Sequence, residues 1–146
     1  MVNWEDTLED VASIADEYES AGWETLVLRP GEVQVISGDS VRTGFDVLIP
    51  DDEYRELRSV LESGVSFDTY EVHRNVRNDV VHVIVTMEDG ATQTGLLYPA
   101  YYGLEDADTV EGAGDDGRLR THLRRLNGEY VELTHSDPDL FVPAID

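Results

Sequence analysis

The chain has 146 residues, 32 of them acidic against 10 basic, with no cysteine and a net charge of −22 at pH 7. That is the length of one ordinary domain, able to bury roughly 70% of its unfolded surface. The missing cysteine excludes disulfides and thiolate metal sites, and the charge argues against nucleic acid and anionic membranes, whose binding rests on Lys and Arg.

Residues 3–21 read as an amphipathic helix. Asn3 is its cap, Asp6 answers the cap and Glu5 lies in the positive first turn. Trp4, Leu8, Val11, Ala15 and Tyr18 recur at steps of three and four, and Gly22 is placed to end the helix. This start is a helix signature rather than a signal-peptide core, and no apolar run approaches the roughly 18 residues of a membrane span. Strands are expected at Thr25–Leu28 and Val33–Ile36 around an Arg29-Pro30-Gly31-Glu32 turn. After the Ser37-Gly38-Asp39-Ser40 loop, Val41–Ile49 reads as a third strand, with Gly44 as a bulge or kink. Pro50-Asp51-Asp52-Glu53 opens a second helix ending at Gly64, with Tyr54, Leu57 and Leu61 on one face.

Phe67–Val76 and Val80–Met87 form an expected hairpin turning over residues 75–79. Glu88-Asp89-Gly90 turns into a strand around Thr92–Tyr98, and a short helix follows near Leu104–Val110. Glu111–Gly117, with three glycines, is expected to be mobile. A last hairpin, Arg118–Leu126 and Tyr130–His135, closes around Asn127-Gly128. This order predicts a single α+β domain: a mainly antiparallel sheet of about six to eight strands, with two main helices packed on one face.

The charge exceeds the magnitude of about 2–8 usual for a small soluble domain. All ten basic residues are Arg. Near 1 M salt the Debye length falls to about 3 Å, which screens such carboxylates from one another. The sequence therefore reads as a halophilic, cytoplasmic protein with solvent cations at its acidic surface.

Carboxylates are so numerous that pairing any two says little; Asp51, Asp52 and Glu53 suit a helix start. If the first hairpin closes about Arg77-Asn78, His73 faces His82 with Glu71 two residues along. These three, with Asp46 as a further ligand, would form an open divalent-metal site; the alternative is half-buried imidazoles on a polar sheet face. No other cofactor is expected. Arg118, Arg120, His122 and Arg124 alternate onto one strand face that would receive a phosphate or carboxylate, or else pair with the chain's own acids. A two-residue loop sets Leu123 opposite Glu132. The favoured three-residue loop sets Leu123 opposite Leu133 and Arg124 opposite Glu132. Tyr98, Tyr101 and Tyr102, in Tyr98-Pro99-Ala100-Tyr101-Tyr102, offer an aromatic contact patch, a small-molecule pocket or core packing.

No nucleophile elbow, phosphate loop or dinucleotide fingerprint is present. The helix–three strands–helix–strand order is similar to that of restriction-endonuclease-like nucleases, with Gly44-Phe45-Asp46 and Glu71-Val72-His73 as the nearest acidic motifs. The Lys such families use is missing, and a helix separates the two motifs.

The chain resembles a family of small acidic haloarchaeal proteins of unknown function. The likeness lies in Gly22-Trp23-Glu24-Thr25-Leu26, Asp46-Val47-Leu48-Ile49-Pro50-Asp51, Tyr70-Glu71-Val72, Tyr98-Pro99-Ala100-Tyr101-Tyr102, and the ending Thr121-His122-Leu123-Arg124 to His135-Ser136-Asp137-Pro138. The resemblance implies a lineage and a cytoplasmic setting, and no activity. The leading expectation is a non-enzymatic binding or interaction domain, a homo-oligomer contacting itself through the tyrosine cluster. The alternatives are a metal-dependent hydrolase on His73, His82 and Glu71, and an anion-binding module on Arg120, His122 and Arg124.

Overall fold

A computed structural model describes residues 4–36, 44–112, 118–135 and 138–142. The proposed cap Asn3, the Ser37–Ser40 loop, the start of the third strand and residues 113–117 of the mobile segment lie outside the described residues.

Helix α1 spans Trp4–Ser20 and buries Thr7, Val11 and Ala15, a stripe at steps of four. Gly22 ends it at φ 92°. The Gly22 amide donates to the Glu19 carbonyl and the Trp23 amide to the Tyr18 carbonyl, each at 3.0 Å. That is a Schellman closure, and its apolar clasp is the edge-to-face pair of Tyr18 and Trp23, 5.5 Å apart.

Eight strands form two four-stranded sheets, not one. In the first, β1 (Glu24–Val27) pairs parallel with β6 (Thr94–Gly103). β6 pairs antiparallel with β5 (Val80–Asp89), and β5 with β4 (Thr69–Arg77). In the second, β2 (Glu32–Ile36) lies antiparallel to β3 (Gly44–Leu48), β3 parallel to β7 (Leu119–Arg124), and β7 antiparallel to β8 (Tyr130–His135). The expected single, mainly antiparallel sheet is thus corrected to two mixed ones.

The chain switches sheets at residues 29–31, so β1 and β2 do not pair with each other. The Leu28 amide still donates to Leu97 of the first sheet, while the Gly31 amide donates to Leu48 of the second, both at 2.9 Å.

The sheets share one apolar core. Val81, Val83, Val85 and Met87 of β5 and Leu96, Tyr98 and Tyr102 of β6 join Phe45, Val47, Leu119, Leu123, Val131 and Leu133. On the other face of β5 and β6, Ile84 and Leu97 pack with Val11 and Ala15 of α1. Strands covered on both faces read as near-continuous apolar runs, which is how residues 80–87 and 96–102 read. Helix α2, Asp51–Glu62, instead sends Tyr54 and Leu57 into the inter-sheet core. A short helix α3 spans Ala107–Gly112. No helix among the described residues is long and apolar enough to cross a membrane.

Candidate functional site

The first hairpin turns through Asn78 and Asp79, both at positive φ (54° and 64°), a two-residue turn of the kind that matches strand twist. It closes two residues' worth of register away from the sequence expectation. His73 faces Ile84, His82 faces Asn75 and Glu71 faces Thr86. The two imidazoles are therefore diagonal neighbours rather than partners, and they line a small cleft of about 210 Å³ with Thr7, Asp10, Arg74 and Asn75. His73 is exposed and His82 half-buried. His82 Nδ1 lies 3.3 Å from Thr7 Oγ1, and burial lowers the pKa of its ring. Among the described residues, no three His, Asp or Glu side chains group closely enough to hold a metal ion.

The second hairpin is closed by a three-residue loop, Leu126-Asn127-Gly128. Arg125 N–H donates to Glu129, Gly128 N–H donates to Arg125, and Gly128 sits at φ 94°. The loop begins one residue earlier than the favoured register requires. Leu123 faces Val131, His122 faces Glu132 and Arg124 faces Tyr130. Apolar and charged faces stay segregated because the displacement is even.

The basic stripe is engaged with the chain's own acids. Arg120 Nε donates to Glu132 Oε1 at 3.0 Å, and His122 Nε2 is 3.7 Å from Glu132 Oε2. Arg124 Nε lies 3.1 Å from both oxygens of Asp46, on the neighbouring strand. Arg118 is exposed at the strand start.

The tyrosine cluster is corrected more sharply. Tyr98 and Tyr102 are buried inside the core, so neither can touch a partner, and only Tyr101 is half-exposed. Both buried hydroxyls find partners, as buried phenols must. Tyr102 donates to the Phe141 carbonyl at 2.6 Å, and burial pushes its pKa up to about 12. Tyr98 donates to Thr121 Oγ1 at 3.0 Å, and both hydroxyls lie within 3.1 Å of His135 Nε2.

This Tyr98–Thr121–His135 triangle ties β6 of one sheet to β7 and β8 of the other. His135 is fully buried, its ring 5.1 Å from Tyr70 and 5.0 Å from Phe141. Its Nδ1 has no hydrogen-bond partner among the described residues. Burial holds its pKa down to about 4 and pushes that of Tyr98 well up. With no solvent access, these groups act as a polar cross-tie between the sheets rather than as a reacting set.

Another cleft lies where the sheet-switching corner meets α2 and the β7–β8 hairpin, a combination the sequence reading missed. It measures about 520 Å³ and is lined by Arg29, Leu48, Ile49, Pro50, Arg125 and Leu126, with Gly31, Asp51 and Asn127. Its walls come from three distant segments, so no local motif marks it. Arg125 lies over the Tyr54 ring at 4.9 Å and forms ion pairs with Asp51 and Glu129. The Arg29 amide donates to Glu53 Oε1 at 2.7 Å. Burial raises the Glu53 pKa, and that hydrogen bond partly opposes the rise. The Arg29 guanidinium itself closes no ion pair or side-chain hydrogen bond among the described residues.

A model of a family of unknown function, DUF7529, matches residues 1–143. No curated protein and no solved structure matches the chain.

Proposed function

We propose, from the premise that the chain belongs to DUF7529, a family of unknown function, that it is a non-catalytic binding domain whose ligand is a small organic acid. The ligand would be a carboxylate or phosphate on an apolar body, seated in the cleft between the 29–31 corner, the start of α2 and the second hairpin.

One observation carries this reading. Apolar walls from Leu48, Ile49, Pro50 and Leu126 stand beside Arg29, whose guanidinium acts on Glu53 through space but closes no ion pair among the described residues. A guanidinium grips carboxylate or phosphate through two parallel hydrogen bonds. In concentrated salt, chloride competes for any single charge, so selectivity must come from that fork together with apolar contact. Arg125, already clamped by Asp51 and Glu129, would shape the wall, leaving Arg29 to take the anion.

The test is calorimetry in 2 M KCl with acetate, octanoate, AMP and a sugar phosphate. At least one amphipathic acid should bind, and Arg29→Gln should weaken it tenfold or more. Heats no larger than dilution for every probe would refute the reading.

The same proposal sets the domain in a salt-rich cytoplasm. A melting temperature equal in dilute buffer and in 2 M KCl would count against that setting. Self-association remains part of it, with the contact moved from the tyrosine cluster to the second hairpin, where Leu126 is 86% exposed and Tyr130 50%. A strict monomer by light scattering in 2 M KCl would remove that part.

A further inference from the structure

A second cleft, about 420 Å³, lies across the 29–31 corner from the first and shares Gly31 with it. Its walls are Trp4, Pro30, Gly31, Val80, His82 and Tyr101. Among the described residues its walls carry neither a carboxylate nor a guanidinium. Its imidazole, His82, already meets Thr7 through Nδ1. Trp4 and Tyr101 stand edge to face, centroids 5.2 Å apart and planes at 73°, and the His82 ring lies 6.5 Å from Tyr101. Two half-buried aromatic side chains, both packed against the inter-sheet core, thus form a corner.

We propose that this corner is a binding site for a small organic cation of the methylated-ammonium class. The faces of aromatic rings carry the negative part of a quadrupole, which attracts cations and repels anions. A potassium or sodium ion keeps its hydration shell and gains little from such a wall. A methylated ammonium spreads its charge over apolar methyl groups, sheds water cheaply and gains both π and apolar contact. The net charge of −22 raises the local cation concentration at low salt. Near 1 M salt that field is cut off within about 3 Å, so direct ring contact still distinguishes an organic cation from molar potassium. The site is independent of the anion cleft, and either can fail without the other.

The experiment uses the full chain carrying Trp23→Phe, which leaves Trp4 as its sole indole. Trp4 emission is titrated with tetramethylammonium chloride in 2 M KCl, with matched additions of KCl as the control. A saturable change is expected, half-complete on the order of 1–10 mM, with no change from KCl. Tyr101→Leu in the same background should weaken the response at least fivefold while circular dichroism stays unchanged. A response that is absent, or linear without saturation, overturns the proposal, as does equal affinity in a folded Tyr101→Leu chain. Should that variant not fold, saturation against linearity in the Trp23→Phe chain decides alone.

Discussion

Acid should loosen this fold through His135 in a way that can be separated from its many carboxylates. The imidazole is fully buried against Tyr70 and Phe141 and hydrogen-bonded at Nε2 to Tyr98 and Thr121. Burial holds its folded pKa to about 4, against about 6.5 for an unfolded histidine. The folded state thus prefers the neutral ring. The stability this gives is full above pH 6.5 and is lost as pH falls from there towards 4. From pH 7.5 to 4.5 the unfolded chain binds most of one proton more than the folded chain does, a loss of roughly 2–3 kcal/mol. The assay is urea unfolding followed by circular dichroism in 2 M KCl at both pH values, for the wild type and for His135→Gln. Carboxylate titrations are common to both chains and cancel in the difference. The wild type should lose roughly 2–3 kcal/mol more than the variant. Losses equal to within about 0.5 kcal/mol would refute the reasoning, because the protonated ring would then be accommodated in the fold.

Three further outcomes follow from the geometry. Gly44 lies opposite Arg120, and a Cβ there would come within 1.8 Å of the Arg120 carbonyl oxygen. Gly44→Ala should therefore cost at least about 3 kcal/mol in urea unfolding, and an unchanged midpoint would contradict the close approach of β3 and β7. Arg124→Gln, which strands the mostly buried Asp46, should cost about 2 kcal/mol. Arg55→Gln, which breaks an exposed pair with Asp51, should cost under about 0.5 kcal/mol; equal costs would show that burial is irrelevant to these pairs. The Asp89 carboxylate is held below its ordinary range by amide hydrogen bonds, chiefly from Ser66 and then from Ala91 and Thr92. Its stabilisation is present above the unfolded carboxylate pKa and lost as pH falls through the folded value. Asp89→Asn should therefore destabilise at pH 6 and matter least near pH 2; the reverse pH dependence would disprove it.

The elements were legible because local chemistry marks them. Gly22 closes α1 where the periodic stripe stops, Pro50-Asp51-Asp52 opens α2, and Gly128 takes the left-handed position of the last hairpin. The sheet division was not legible. Thr25–Leu28, Pro30-Gly31 and Val33–Ile36 read as an ordinary hairpin. The partner of β1 is β6, about seventy positions along the chain, and nothing local records a parallel pairing. Both hairpin registers were displaced by an even number. Side-chain faces therefore survived while cross-strand partners did not, which is how His73 and His82 came to share a cleft without facing one another. The tyrosines were misplaced for a related reason. Residues 96–102 form a strand covered over most of both sides, so Tyr98 and Tyr102 enter the core and only Tyr101 stays half-exposed.

The same physics explains why the site had to be sought among cations. With 32 acidic residues, a carboxylate at any position carries little information about function. The ten arginines are scarce enough for their placement to mean something. Arg120 joins β7 to β8, Arg124 joins β7 to β3, and Arg125 joins the hairpin to α2 through Asp51 and Tyr54. Each fastens two elements by neutralising an acid at their junction. Arg74 and Arg77 close no ion pair among the described residues and donate to backbone carbonyls instead, and Arg29 differs from all of these. Its backbone anchors the corner to Glu53, yet its guanidinium lines an apolar cleft and closes no ion pair among the described residues. In a chain this acidic, a guanidinium beside apolar walls that reaches Glu53 only through space is where the proposed acid ligand would seat.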